Sequence, residues 1–278
     1  MEPDLYDTYE KASNWLRLIS RSEIRIKMLM TLNGGPKDLS QLREQLNLSS
    51  STIIHAIGDM GAEGIIGRSP EQGYILTNIG NVQAVLVNDL INVLGVLSKN
   101  SEFWLTHDIS GIPNHLLKRI GDLGDCDVVR SSPDDVLEVF SNYTTLITSA
   151  KEIKGVSPFF QPNLPKMMEA LVHSGANVKL VLAKEVFFKV METNQDRLKA
   201  LNGFLSEGVL ELWVIDSDLK VALTVTDSAL SFGLFNCEGT YDALTDLVSY
   251  GDKALNWGRE LFEYYRILSK KITPEEMK

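Results

Sequence analysis

The spacing of apolar residues changes character several times along the chain. Leu5, Tyr9, Ala12, Trp15, Leu16 and Ile19 recur every three or four residues, with Glu10, Lys11 and Arg17 between them, which predicts an amphipathic helix. A second helix is predicted from Ser22, a candidate N-cap, through Ile24, Ile26, Met28, Leu29 and Leu32. Asn33-Gly34-Gly35-Pro36 ends it, because glycine permits a left-handed C-cap and proline cannot continue a helix. Asp38 then heads a short third helix, with Gln41 in capping-box register and Leu39, Leu42 and Leu46 on one face. After the turn Asn47-Leu48-Ser49, a fourth helix is predicted from about Ser50 to Glu63. Its inward stripe is Ile53, Ala56, Ile57 and Met60, and its outward side offers Ser50, Ser51, Ile54, His55 and Gly58. Gly64 closes the helix, Ile65-Ile66 reads as a short strand, Gly67 to Gly73 as a polar turn, and Tyr74-Ile75-Leu76-Thr77 as the returning strand.

Two short helices with a tight turn, followed by a hairpin, form the order of a winged helix-turn-helix. The segment from Leu39 through Ser49-Ser50-Ser51-Thr52-Ile53, Glu63-Gly64-Ile65-Ile66 and Tyr74-Ile75-Leu76-Thr77 resembles bacterial and archaeal winged-helix repressors over residues 20–80. A winged helix also serves protein contacts, so the order of elements alone leaves that reading open.

Val82, Val85, Leu86, Leu90, Val93, Leu94 and Leu97 give another long helical stripe, which either pairs with its twin in a second copy or joins two domains. Phe103 to Pro113 is aromatic and turn-rich, and Leu116 to Leu123 returns to helix. From Asp127 the pattern alternates. Val128-Val129 precedes a helix over 133–145, Ile153 to Val156 a helix from Leu164 to His173, and Val178 to Leu182 helical stretches reaching Leu205. Strand-like runs follow at 210–215, 221–225 and 230–235, then a C-terminal helix. Alternating strands and helices predict an α/β sandwich. The fold class expected is thus α/β plus an all-α winged-helix part. The domains are a DNA-binding domain at 1–80, linker helices at 81–126 and an α/β effector or dimerisation domain at 127–278.

Taken whole, the chain resembles the methanogenesis regulatory family of archaeal winged-helix transcription regulators. The segments that carry this are Phe103-Trp104-Leu105-Thr106-His107-Asp108, Ile112-Pro113-Asn114-His115-Leu116-Leu117, Gly121-Asp122-Leu123, Gly239-Thr240-Tyr241-Asp242 and Trp257 through Tyr265. The resemblance implies a transcription regulator of a methanogenic archaeon, with a C-terminal domain distantly similar to the phospholipase D fold.

Composition narrows the picture. With 278 residues, 44% hydrophobic and 23% charged, the chain suits two globular domains rather than a disordered or low-complexity protein. No stretch approaches the ~18 to 20 uncharged apolar residues of a bilayer crossing, and Met1-Glu2-Pro3-Asp4 lacks the positive charge of a secretory signal, so a cytoplasmic protein without a membrane partner is expected. The net charge of −10 excludes a polycationic nucleic-acid coat. Residues 1–80 hold eight Lys and Arg against ten Asp and Glu, so only −2 of that excess lies there. Cys126 and Cys237 are far apart without a CxxC pair and read as core thiols.

Candidate DNA contacts therefore sit on the fourth helix and the wing. Ser50, Ser51 and Thr52 allow close phosphate approach at a helix N-terminus, Ile54 can meet a thymine methyl, and His55 is either a base-edge donor or a solvated surface residue. Arg68 on the wing suits the minor groove or the backbone. The expected partners are a double-stranded DNA operator and a second copy of the chain, since two winged helices about a two-fold axis match a palindrome.

Catalysis of the phospholipase D type needs H-x-K-x4-D, and Asp218-Leu219-Lys220 with Asp227 offers a carboxylate where the attacking histidine belongs. No GxGxxG, Walker A or G-x-S-x-G motif occurs, so an enzyme and a bound cofactor are not expected, with a degenerate phosphodiesterase as the alternative. His107, Asp108 and His115 make a metal site only on paper, and structural hydrogen bonds are the stronger reading. A small-molecule effector would bind beyond the ends of the strands, at Ser157, Phe159, Phe160 and Lys184, although both phenylalanines also suit an ordinary core.

Overall fold

The structure, a computed structural model, describes residues 4–193 and 195–277; Met1, Glu2 and Pro3 of the acidic opening lie outside the described residues. The chain divides into two compact units, with the boundary between Ile91 and Asn92.

The first unit holds α1 (Leu5–Ser20), α2 (Glu23–Asn33), α3 (Leu39–Leu46), α4 (Ser50–Ala62), the hairpin β1 (Ile66–Ser69) and β2 (Gly73–Leu76), and the first part of α5 (Asn78–Lys99). The caps read from the sequence form: Ser22 Oγ accepts from the Arg25 amide, and Asp38 and Gln41 exchange side-chain bonds in a full capping box. Asn47, in the left-handed region at φ 52°, closes α3. Met28, Leu29, Leu42, Ile53, Met60 and Ile65 are fully buried, so α2, α3 and α4 share one small core with the hairpin. Ile57, expected inward, is half-buried. The strand β1 begins at Ile66 and runs through Arg68 into the segment expected to turn, because Gly73 at φ +85° reverses the chain later. Gly80 packs its backbone against the Ile65 carbonyl, where a Cβ would come within 2.1 Å, so the start of α5 seats directly on the hairpin.

In α1 nothing is buried, and α5 exposes Val82, Val85, Leu86, Leu90 and Leu94. By length and composition α5 is the one helix among the described residues that would suffice to cross a membrane. Its sequence holds no unbroken uncharged run of that length, because Asn88-Asp89 interrupts the stripe.

In the second unit the rest of α5 joins α6 (Ser101–Thr106), α7 (Asn114–Leu117), a 3-10 turn at Ile120–Leu123, β3 (Asp127–Arg130), α8 (Glu138–Thr148) and β4 (Glu152–Ser157). These lead to α9 (Leu164–His173), β5 (Asn177–Ala183), α10 (Lys184–Thr193), α11 (Gln195–Glu207), β6 (Leu210–Ile215), β7 (Val221–Val225), β8 (Leu230–Leu234), β9 (Thr245–Ser249), α12 (Asp252–Ile267) and β10 (Lys270–Lys271). The layers rest on one eight-stranded mixed sheet in the order β10-β6-β5-β4-β7-β8-β9-β3. Only β4, β5 and β6 run parallel, joined by the crossovers α9 and α10–α11; the others pair antiparallel. Trp257 of α12 is fully buried, donates its indole N–H to the Leu116 carbonyl at 3.0 Å and meets Phe232 edge-on.

The segment 81–126, expected as linker helices between 1–80 and 127–278, is shared between the units: Ala84 belongs to the first core, and Val96, Phe103, Ile112, Leu116 and Leu123 to the second. Several local expectations change. Ser101–Thr106 is helical within the aromatic stretch, and the helix expected over 116–123 is instead a short helix ending at Leu117 and a 3-10 turn from Ile120. The helix expected from Pro133 starts at Glu138, because Ser132 and Asp135 close a turn on each other first. Cys126 is buried as expected, but Cys237 is exposed on the turn after β8, where its amide bonds the Thr106 carbonyl.

Candidate nucleic-acid interface

The exposed side of α4 is set by its buried one. With Ile53, Ala56 and Met60 fixed in the core, helical geometry turns Ser51, Ile54, His55 and Gly58 to solvent. Ser49 caps the helix, accepting from the Thr52 amide at 3.2 Å, and its hydroxyl also lies 2.9 Å from Ser51 Oγ and 2.8 Å from Thr52 Oγ1. The free amides of the first turn and this hydroxyl cluster make an end suited to an anion. Ser50 and Thr52 are half-buried, whereas Ser51, Ile54 and His55 are exposed. Arg68 is exposed on β1, with its guanidinium 5.9 Å from the centre of the Tyr74 ring on the paired strand. All six residues expected at a DNA interface thus fall on α4 or the hairpin.

Two more residues, without any local signal in the sequence, stand beside them. Arg25 of α2 ion-pairs with Asp59 of α4 and donates Nη1–H to the Leu18 carbonyl at 3.0 Å. Asp59 Oδ2 also lies 3.4 Å from His55 Nδ1. An open groove of about 390 Å³ runs along this edge, lined by Ser22, Arg25, Ser51, Thr52, His55 and Asp59. The Arg25–Asp59 pair joins positions 34 apart in the chain, so no local pattern announces it.

In the second unit the expected effector residues divide. Ser157 Oγ donates to the Phe159 carbonyl at 3.0 Å, and Phe159 stacks on Tyr241 at 4.2 Å. Phe160 lies under the Lys189 ammonium, 4.9 Å away, while Lys184 pairs with Asp216 at 2.5 Å. The half-buried Phe159 and Phe160 are thus packed on partners of their own. Near Tyr241 lies a buried polar set: Thr224 donates to the Tyr143 hydroxyl at 3.4 Å, and Ser231 Oγ donates to Asp246 at 2.7 Å. Burial pushes both phenols up and raises the Asp246 carboxyl to about 7, against the opposing bonds from Ser231 and the Phe232 amide. Asp246 sits on β9, a strand whose sequence Thr-Asp-Leu-Val-Ser is too short and mixed to announce itself.

The residues weighed for chemistry take separate partners. Lys220 pairs with Asp108 at 2.8 Å, and that contact holds Asp108 at about 2; Asp227 accepts the Lys151 amide. His107 bonds the Phe103 carbonyl through Nδ1 at 2.8 Å and Asp242 through Nε2 at 3.2 Å, and His115 packs edge-on against Tyr264. Among the described residues no three His, Cys, Asp or Glu side chains converge to hold a metal ion.

Comparison with known proteins gives two family matches. Residues 13–95 match the N-terminal domain of the methanogenesis regulatory protein FilR1, and residues 136–267 match its middle domain. Methanogenesis regulatory protein FilR1 of Methanothrix harundinacea (strain 6Ac) is 31% identical over 258 residues, which is 92% of this chain and 58% of the relative, so the chain spans little more than half of that protein's length. Among solved structures, the archaeal chromatin protein TrmBL2 aligns over 95% of this chain and 99% of its own, with 15% identity and a TM-score of 0.42. The phospholipase D family member Nuc of Salmonella typhimurium covers 54% of this chain and 98% of its own, with 16% identity and a TM-score of 0.38.

Proposed function

The chain belongs to the family of the methanogenesis regulatory protein FilR1, and from that premise we propose that it is a sequence-specific, DNA-binding transcription regulator working in the cytoplasm as a homodimer. The observation that carries this reading is the exposed face of α4. Small hydroxyls at its N-terminus, Ile54 and His55 beyond them, and Arg68 on the adjacent hairpin lie opposite the buried Ile53, Ala56 and Met60 or on the paired strands. A 13-residue helix is about 20 Å long and fits a major groove about 12 Å wide. The N-terminal hydroxyls and Arg68 would take phosphates, and Ile54 and His55 base edges.

The homodimer rests on the unpartnered faces of α1 and α5. Leu5 is 80% exposed, Leu86 63% and Leu90 56%, large apolar side chains of the kind that mark an interaction surface when they cluster. A second copy covering these faces would set two α4 helices about a two-fold axis. The second unit would supply the control: an effector near Ser157, Phe159, Phe160 and Lys184 would act beside the half-buried Tyr143 and Tyr241 and the buried Asp246. The degenerate phosphodiesterase finds no support, because Lys220 and Asp227 are engaged with different partners. A gel shift with the DNA upstream of the chain's own gene tests the proposal. Salt-sensitive binding supports it, and no binding to any genomic fragment counts against it.

A further inference from the structure

Asp59 is the one acidic residue of α4, and it stands one turn beyond His55 on the side offered to DNA. A carboxylate facing a polyanion repels it, so its presence there needs a reason. The reason lies in its partners. Arg25, itself anchored on the Leu18 carbonyl, cancels the charge of Asp59 and fixes its side chain, which is only 32% exposed. The same Oδ2 atom then faces Nδ1 of His55, whose side chain is 81% exposed.

We infer that Asp59 is a positioning residue for base readout: it holds the proton of the neutral His55 ring on Nδ1 and leaves Nε2, the nitrogen turned away from it, as a hydrogen-bond acceptor. The physical basis is that the bond made by one imidazole nitrogen decides the state of the other. A carboxylate oxygen 3.4 Å from Nδ1 favours a proton there, and the Arg25 contact holds that oxygen in place. An acceptor on α4 selects a donor in the major groove, and the donors there are the exocyclic amines of adenine and cytosine, whereas guanine offers acceptors. His55 therefore reads an amine rather than donating to a base. The ion pair also accounts for Arg25, which is committed to Asp59 and Leu18 and so serves α4 instead of reaching a phosphate. The inference rests on the proposal that α4 enters the groove, and its first test is independent of DNA.

That test is the tautomer of His55 in the full chain labelled with 15N-histidine, read from long-range proton–nitrogen spectra at a pH where the ring is neutral. The four histidines are assigned by single substitution. The expected result is the Nδ1–H form at His55, shifting toward Nε2–H in Asp59→Ala and retained in Asp59→Asn, whose amide oxygen can take the place of Oδ2 opposite Nδ1. A second measurement needs no change at Asp59. Purine in place of adenine, or the cytosine analogue without its amine, at the contacted position should weaken binding of the unmodified protein about 3- to 10-fold and cost His55→Ala nothing further. Nε2–H in the unmodified protein, or an equal amine-deletion loss in His55→Ala, overturns the inference while leaving DNA binding standing. An Nδ1–H ring in a protein that binds no duplex overturns the DNA reading itself, and with it the role of Asp59 in readout.

Discussion

Replacing Asp246 by asparagine should remove a pH dependence from the second unit. The carboxyl is 5% exposed on β9 and accepts from Ser231 Oγ at 2.7 Å and from the Phe232 amide. Burial disfavours its charged form and carries it to about 7, whereas an unfolded aspartate sits near ~3.9. Because the folded value is the higher one, the folded state holds its proton more tightly. Its contribution is greatest below the unfolded value and is lost as pH rises through the window from about 4 to about 7. At ~1.4 kcal/mol per pH unit, the loss across that window is on the order of 4 kcal/mol as an upper figure, and roughly half of it falls between pH 5 and 7. Asparagine keeps the shape and the acceptor oxygen but cannot ionise. The assay is urea unfolding followed by tryptophan fluorescence at pH 5, 6, 7 and 8, in which Trp213 and Trp257, both in the second core, report that unit. The difference in stability, variant minus wild type, should rise by a few kcal/mol between pH 5 and pH 8, with the variant the more stable at the upper end. Parallel pH profiles for the two proteins would refute the reasoning and mean that Asp246 is ionised in the folded state.

Leu86→Glu, or the pair with Leu90→Glu, places charge on the exposed stripe of α5, and light scattering should return a mass near 31.0 kDa where the unmodified chain gives twice that; a monomer in both would remove the homodimer. Gly80→Ala drives a Cβ against the Ile65 carbonyl, so the hairpin should shift, melting of the first unit should fall by several degrees, and DNA binding should weaken with it. Trp257→Ala empties the middle of the second core and leaves the Leu116 carbonyl without its donor, at a cost of about 3 to 5 kcal/mol in denaturant unfolding.

The helices and hairpin of the first unit were legible in the sequence because their signals are local and agree with one another. The capping box of Asp38 and Gln41, the Ser49 cap and the stripe Ile53, Ala56, Met60 each dictate geometry within one or two turns. The strands 210–215 and 221–225 were equally plain as apolar runs. What stayed hidden depends on distant partners. Thr245 to Ser249 becomes a strand because β8 and β3 flank it, and Ser101 to Thr106 becomes a helix within a stretch that reads as turns. The same holds at the candidate interface. Ser50, Ser51, Thr52, Ile54, His55 and Arg68 come from local pattern, whereas the Arg25–Asp59 pair exists only because α2 and α4 pack together. Ser157, Phe159, Phe160 and Lys184 stand out as effector candidates by strand-end position alone, which says nothing of Tyr241 or Asp216, the partners that Phe159 and Lys184 take.

The central claim, that α4 and the wing read DNA, is tested most directly by titrating the full chain into a labelled duplex from its own upstream region at several salt concentrations. The unmodified protein, His55→Ala and Arg68→Ala would be compared. The account predicts that log affinity falls linearly with log salt, that Arg68→Ala flattens this slope by about one unit on every sequence, and that His55→Ala costs about 1 to 3 kcal/mol on the preferred duplex alone. Affinity and salt slope unchanged by both substitutions would contradict it and leave the winged helix as a surface for protein contacts.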